Sequence, residues 1–134
     1  PVLHENFWAA CADDAETEEE IRAVYERTGY TLDTHTAVAY RAAEAYRNET
    51  GDTRPMVVLS TASPYKFGAS VLHALGEEAE GLDEFAQMEC LHARSGMDVP
   101  ARLAALRAAT VLHGGTCEKD EMRTAVLDFA RNLS

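Results

Sequence analysis

Three hydroxyl side chains directly follow a short apolar run in the middle of the chain. Ser60, Thr61 and Ser63 come after residues 56–59, an apolar run rich in β-branched residues that predicts a buried strand. Hydroxyls at the carboxyl end of such a strand can hydrogen-bond a ligand or a cofactor ring nitrogen. The same residues also suit the cap of a helix beginning near Pro64. Spacing alone favours this simpler role.

A histidine and a lysine offer further chemistry. His35 lies two residues after Asp33, and a histidine–carboxylate pair can act as a general acid or base. However, the surrounding residues are typical of a helix cap with a surface histidine, which is the better reading from one sequence. Lys66 could form a Schiff base, contact a phosphate, or remain a solvated lysine in a first helical turn. The other histidines lack ligand spacing, so we predict no metal site.

Composition limits the classes of partner. The chain has 134 residues, enough for one domain, and a formal net charge of −11 at pH 7. This charge argues against nucleic acid and anionic membranes, because both are bound through basic patches. No apolar stretch approaches the ~20 residues of a membrane span, and we expect no signal peptide. Three widely spaced cysteines are typical of reduced thiols, so we expect a cytoplasmic protein.

Helical patterns dominate the rest of the sequence. Thr17 and Glu20 have capping-box spacing, and Gly29 is placed to end the helix that follows them. Hydrophobic periodicity predicts helices near 17–28, 36–49, 65–75, 83–94, 100–109 and 118–131. One or two short strands, at 56–59 and marginally at 30–32, are too few for an independent sheet. Either strands pair between molecules, or the chain is a piece of a larger α/β protein.

Two segments together resemble threonine synthases. Residues 29–40 read GYTLDTHTAVAY and resemble the family segment GY-x-[DE]-P-H-[TAG]-A-V-[AG]. Residues 57–67 read VVLSTASPYKF and resemble the family segment [SG]-T-A-H-P-A-K-F. The likeness covers residues 1–76 well, whereas residues 77–134 match only as a generic helical tail.

The resemblance implies a fold and an activity. Threonine synthases are pyridoxal-phosphate enzymes of fold type II (tryptophan synthase β-like) that convert O-phosphohomoserine and water into threonine and phosphate. We therefore expect an α/β, helix-rich C-terminal segment, with residues 1–76 completing the cofactor-binding domain and residues 77–134 forming a helical tail. Expected partners are O-phosphohomoserine and the rest of the parent chain, and an oligomer is possible. The Schiff-base lysine and the phosphate loop belong to earlier segments, so no catalytic residue is expected here.

The resemblance also assigns residues to roles. Thr61 matches the threonine of the S-T-A motif, where a hydroxyl would hydrogen-bond the cofactor ring nitrogen, and Ser60 is a weaker candidate beside it. Lys66, His35 and Thr36 are the expected substrate-binding residues. Three positions depart from the family pattern and leave room for altered substrate handling: Thr34 stands for Pro, Ser63 for His and Tyr65 for Ala.

Two other readings remain open. The first is a non-enzymatic helical interaction module that binds a partner through an exposed sheet edge and the apolar Phe7 and Trp8. The second is another fold type II enzyme acting on a different amino acid. The paired motif favours threonine synthase over an interaction module, which has no reason to carry it.

Overall fold

The structure, a computed structural model, describes residues 6–132, and these are helical with connecting loops. The elements are α1 (Asp14–Thr28), α2 (Thr34–Thr50), a 3-10 helix (Pro64–Phe67) leading into α3 (Gly68–Ala74), α4 (Glu84–Ser95), α5 (Ala101–Ala104), a 3-10 helix (Ala105–Ala108), and a second one (Lys119–Glu121) leading into α6 (Met122–Arg131). They fall into two compact units, 6–104 and 105–132. The six predicted helices are confirmed, with boundaries shifted by a few residues.

The start of α1 differs from the predicted one. Asp13 is the N-cap: its side chain accepts from the Glu16 N–H at 2.8 Å, and the Glu16 carboxylate accepts from the Asp13 N–H at 3.0 Å. The capping box predicted at Thr17 and Glu20 is therefore wrong, because both lie inside the helix and are buried. The predicted end is confirmed, since Gly29 adopts the left-handed conformation with φ 73°.

The core of the first unit is formed by three helix contacts. Helix α1 packs against α2 and α3, and α3 packs against α4. Their facing apolar side chains are almost completely removed from solvent: Ile21, Val24, Ala37, Val71, Leu72, Met88 and Leu91. Burying such side chains stabilises a fold by ~1.5–3 kcal/mol each for the larger residues. This packing holds the N-terminus of α2 against the rest of the unit.

Charged groups join α1 to α2 beside this core. The Arg41 guanidinium on α2 lies 3.1 Å from a Glu16 carboxylate oxygen, 3.6 Å from Glu19 and 3.7 Å from Glu20. Glu20 is buried, and desolvation raises the pKa of its carboxyl above the ordinary value, with a further increase from Glu44. Arg41 acts in the opposite direction and lowers the pKa of this carboxyl.

Neither the predicted strand at 56–59 nor the marginal one at 30–32 is formed, and no strand is present among residues 6–132. A strand needs ladder hydrogen bonds to a second strand, and neither segment has such a partner among the described residues. Residues 56–59 lie along α2 instead, where Met56 and Val58 line a small cavity with Tyr40. Val57 and Leu59 are 85% and 73% exposed. The helix-rich part of the fold prediction is confirmed, whereas its α/β part is not seen in the described part of the chain.

The second unit is short and helical. Helix α6 carries apolar Met122, Val126 and Phe129 at helical spacing, and all three are exposed. No helix in the described part of the chain is long and apolar enough to cross a membrane. Nor do residues 6–132 bring three or more histidine, cysteine or acidic side chains together as metal ligands would require.

Candidate functional site

Asp33 organises the N-terminus of α2. It is the N-cap of the helix, and its side chain is fully buried. One carboxylate oxygen accepts from the His35 N–H at 3.0 Å and the Thr36 N–H at 3.2 Å. The other oxygen accepts from the Thr36 hydroxyl. A capping carboxylate at this position accepts hydrogen bonds from backbone N–H groups that have no partner within the helix. Its negative charge also interacts favourably with the positive end of the helix dipole.

A contact between two hydroxyls connects this cap to the polar loop. The Thr36 and Ser60 side-chain oxygens lie 3.3 Å apart, although the residues are 24 positions apart in sequence. Ser60 is exposed, and so is the neighbouring Thr61. Ser63 is the N-cap of the 3-10 helix and accepts from the Tyr65 N–H at 3.4 Å. The capping role considered for the whole loop therefore belongs to Ser63, whereas Ser60 faces α2.

His35 lies at the rim of the same cluster. Its Nδ1 atom is 3.6 Å from an Asp33 carboxylate oxygen and 3.3 Å from the Thr34 hydroxyl. The ring packs on Phe67 with centroids 4.8 Å apart and the planes tilted by 47°. Its side chain is 61% exposed and lines an open cleft of about 370 Å³ with Glu18. A capping aspartate beside a surface histidine is the reading that the sequence favoured, and the imidazole lies within ion-pair distance of the Asp33 carboxylate while remaining accessible.

Lys66 lies in the 3-10 helix next to Phe67, and it is exposed. None of the hydrogen bonds or ion pairs described among residues 6–132 joins it to the Asp33 cluster. The structure thus brings together His35, Thr36 and Ser60 of the predicted site residues, with Thr61 adjacent. Lys66 stays at the margin.

Each of the three departures from the family pattern has a local structural explanation. Tyr65 is buried, its hydroxyl donates to the Met97 carbonyl at 2.6 Å, and burial raises the pKa of that hydroxyl. The larger side chain is thus part of the core rather than of the cleft. Thr34 is the first residue of α2, a position that accepts proline without loss. Ser63 takes the capping role described above.

Sequence reasoning did not identify Asp33 as the centre of this cluster. It treated Asp33 only as part of a helix cap and as a neighbour of His35. A signal was available, because Asp33 and Thr36 have the N-cap and N3 spacing in which side chains contact each other across the first turn. The contact from Thr36 to Ser60 could not be read from spacing, since it depends on how the loop folds back onto α2.

Comparison of the sequence with known proteins identifies a family for the chain. Residues 36–109 match the family model for the threonine synthase C-terminal domain. The chain is 38% identical over 93 residues to the threonine synthase of Methylobacillus glycogenes, covering 69% of this chain and 19% of that protein. It is 38% identical over 104 residues to the threonine synthase of Escherichia coli K12, covering 78% of this chain and 23% of that protein.

A human relative, threonine synthase-like 1, is 34% identical over 73 residues, covering 54% of this chain and 9% of that protein. The chain thus spans about a fifth of the length of the two bacterial relatives. Thr36, Ser60, Thr61 and Lys66 fall inside the matched range of the family model, whereas Asp33 and His35 precede it. The matched range includes both residues of the hydroxyl contact, and the chain belongs to the threonine synthase family as a C-terminal segment.

Proposed function

We propose that this chain is part of a threonine synthase that uses pyridoxal phosphate to convert O-phosphohomoserine and water into threonine and phosphate. The observation that carries the proposal is the contact between Thr36 and Ser60, which joins the two motifs resembling that family. Two bacterial relatives that share 38% identity with the chain bear the name threonine synthase. The reaction belongs to the whole parent protein, of which this chain spans a part.

The loop residues fit part of the cofactor. Ser60 and Thr61 are exposed hydroxyls, and a hydroxyl can exchange a hydrogen bond with a pyridine nitrogen. Lys66 is exposed and suits the anionic phosphate of the substrate, rather than that of the cofactor, as a point charge. When bound, pyridoxal phosphate supplies an electron sink for carbanion chemistry. We assign Thr61 and Ser60 to the cofactor ring, and we expect no catalytic lysine in this segment.

His35 and Lys66 are the proposed substrate-binding residues. His35 presents an accessible imidazole at the cleft, and its ring is oriented by Phe67 and the Asp33 carboxylate. Thr36 has a different position, because it is buried and its hydroxyl donates to Asp33. We therefore give Thr36 a role in holding the loop in place rather than in direct contact with substrate.

The fold type II assignment also concerns residues 56–59. We propose that this segment becomes a strand when it pairs with a sheet formed elsewhere in the parent protein. The alternation of half-buried Val58 with exposed Val57 and Leu59 supports this proposal, because a strand points successive side chains to opposite faces. The division into a cofactor-binding part, 1–76, and a helical tail, 77–134, stays a prediction, as does the cytoplasmic location.

The test is an assay of the full-length parent with pyridoxal phosphate and O-phosphohomoserine. We expect release of inorganic phosphate with formation of threonine. Thr61→Ala should weaken cofactor binding by about tenfold or less, because one neutral hydrogen bond contributes ~0.5–1.5 kcal/mol. Turnover should fall more than affinity, and Thr61→Ser should retain much of both. Thr53→Ala, in the exposed turn after α2, is the matched control and should change neither.

The outcomes separate the alternatives. If the parent binds pyridoxal phosphate but releases no phosphate from O-phosphohomoserine, it is another enzyme that uses this cofactor. If the parent binds no cofactor, the interaction module is favoured. If Thr61→Ala behaves like Thr53→Ala, the assignment of Thr61 to the ring is wrong even where the activity is present.

A further inference from the structure

Helix α6 has an apolar face that is open to solvent. Met122, Val126 and Phe129 lie on one side of the helix, at spacings of four and three residues, and they are 58%, 66% and 65% exposed. Every other residue of the second unit, 105–132, is exposed as well. Within this range the chain therefore has helical structure without a hydrophobic core of its own.

A helix of this kind depends on a surface that covers its apolar face. Helix α6 has ten residues. Isolated helices shorter than about 12–15 residues are marginal in water, and most helical stability in proteins comes from packing of the apolar face. The ion pair between Arg131 and Asp128, 3.1 Å long, is exposed on both sides, and such pairs contribute little. The face of Met122, Val126 and Phe129 is thus the part of α6 that a partner would stabilise.

The charge of the second unit indicates the chemistry of that partner. Residues 105–132 carry four lysine or arginine side chains and four acidic ones, which cancel, so the net charge of −11 lies in the rest of the chain. The unit therefore needs no partner of opposite charge, and an apolar surface is what α6 fits. A second copy of this chain would bring two strongly acidic bodies together, which charge repulsion opposes.

The relatives of the chain indicate where such a surface is found. The matched segments cover only 19% and 23% of the two bacterial threonine synthases, so most of each relative lies outside the part that corresponds to this chain. A surface in the same polypeptide meets α6 at an effective concentration on the order of millimolar. A second molecule at micromolar concentration cannot compete with it at equal intrinsic affinity. A covalently linked partner is thus favoured over a second copy.

We propose that α6 is an intramolecular anchor, whose face of Met122, Val126 and Phe129 packs on an apolar surface in the part of the parent protein that lies outside this chain. This inference rests on the proposed function only for the existence of that parent. It gives α6 no part in binding substrate or cofactor. Its role is to hold residues 105–132 against the body of the parent.

The test compares amide hydrogen exchange of residues 122–131 in this 134-residue chain and in the full-length parent. We expect exchange to be slower in the parent by about a hundredfold or more, because burial of each large apolar side chain corresponds to about tenfold or more in local stability. Val126→Gln and Phe129→Gln in the parent should each raise the rate by about tenfold or more, for the same reason. Exchange in α1–α4 should not change.

Thr124→Gln is the matched control, because Thr124 lies on the opposite side of α6 and is exposed. Glutamine has a higher helix propensity than valine, phenylalanine or threonine, so none of the three substitutions weakens the helix itself. The control should leave exchange of residues 122–131 unchanged or slightly slower. If Val126→Gln and Phe129→Gln behave like Thr124→Gln, the apolar face is not the docking surface and the inference is overturned.

The remaining outcomes identify other occupants. Equal exchange rates for residues 122–131 in the 134-residue chain and in the parent would overturn the inference, because the rest of the parent would then add no cover. Slower exchange that appears only when the parent concentration is raised about a hundredfold would assign the face to a second copy instead. The measurement does not use turnover. A parent that protects α6 but releases no phosphate from O-phosphohomoserine would refute the proposed function and leave this inference standing.

Discussion

Replacing Tyr65 tests whether its departure from the family pattern concerns the fold or the substrate. Tyr65→Phe removes the hydrogen bond from its hydroxyl to the Met97 carbonyl, which is 2.6 Å long and partly buried. Such a bond contributes ~0.5–1.5 kcal/mol. The carbonyl keeps a second partner, since His92 Nδ1 lies 2.5 Å from it, and we therefore expect a cost near the lower end of that range. Tyr65→Ala also empties the ring volume and should cost ~3–5 kcal/mol.

Native-state amide hydrogen exchange measures the loss of local stability in α4 and in residues 96–99. Tyr65→Phe should raise their exchange rates by about two- to threefold, because ~0.5 kcal/mol is about a third of the 1.4 kcal/mol that corresponds to a factor of ten. Tyr65→Ala should raise them by about a hundredfold or more. Tyr30→Phe is the control, since Tyr30 is 57% exposed, and it should change little. If Tyr65→Phe alters the KM of the parent for its substrate and leaves exchange unchanged, our placement of Tyr65 in the core is refuted.

Two further predictions concern charged side chains. Glu20→Gln should stabilise the protein at pH 7. Burial raises the Glu20 pKa in the folded state above the ordinary 4.5, so the charged form opposes folding once the pH exceeds both values. The gain in the free energy of unfolding should disappear below about pH 4, where the Glu20 carboxyl of the unfolded chain is protonated too. Urea unfolding at pH 7 and below about pH 4 checks this. Glu19→Gln, on an exposed side chain, is the control. A loss of stability at pH 7 would mean that the attraction to Arg41 outweighs burial. Lys66 should form no stoichiometric adduct when this 134-residue chain is mixed with pyridoxal phosphate and reduced with borohydride. The reason is that the lysine is exposed and lacks a neighbouring phosphate loop. Peptide mass spectrometry checks this, and a one-to-one adduct at Lys66 would contradict the proposed roles.

The helices could be predicted from the sequence because their signals are local. The alanine-rich run of α2, its aspartate cap and the glycine that ends it all act within a few residues. The start of α1 was misplaced because two capping boxes overlap in that acidic stretch. Both Asp13 with Glu16 and Thr17 with Glu20 have the required spacing, and only packing buries the second pair inside the helix.

The strand and the site depend on contacts that spacing does not contain. Residues 56–59 have the composition of a strand, yet a strand exists only where another strand pairs with it. The sequence indicates the hydroxyls of the loop, but which of them caps a helix and which contacts α2 follows from tertiary structure. Ser63 caps the 3-10 helix, whereas Ser60 reaches Thr36. The family resemblance suggested candidate residues, and the geometry shows that two of them, Thr36 and Ser60, are in contact.

The junction of Arg41 with three glutamates has a consequence for mutational tolerance. One guanidinium meets Glu16, Glu19 and Glu20, so the loss of any single carboxylate leaves two others in place. The loss of the guanidinium leaves three acids facing one another, one of them buried, in a chain that already carries a net charge of −11. Tolerance to mutation is therefore one-sided. The glutamates can be replaced one at a time during genetic drift, whereas replacing Arg41 with an uncharged residue is tolerated only after an acidic residue on α1 has been lost.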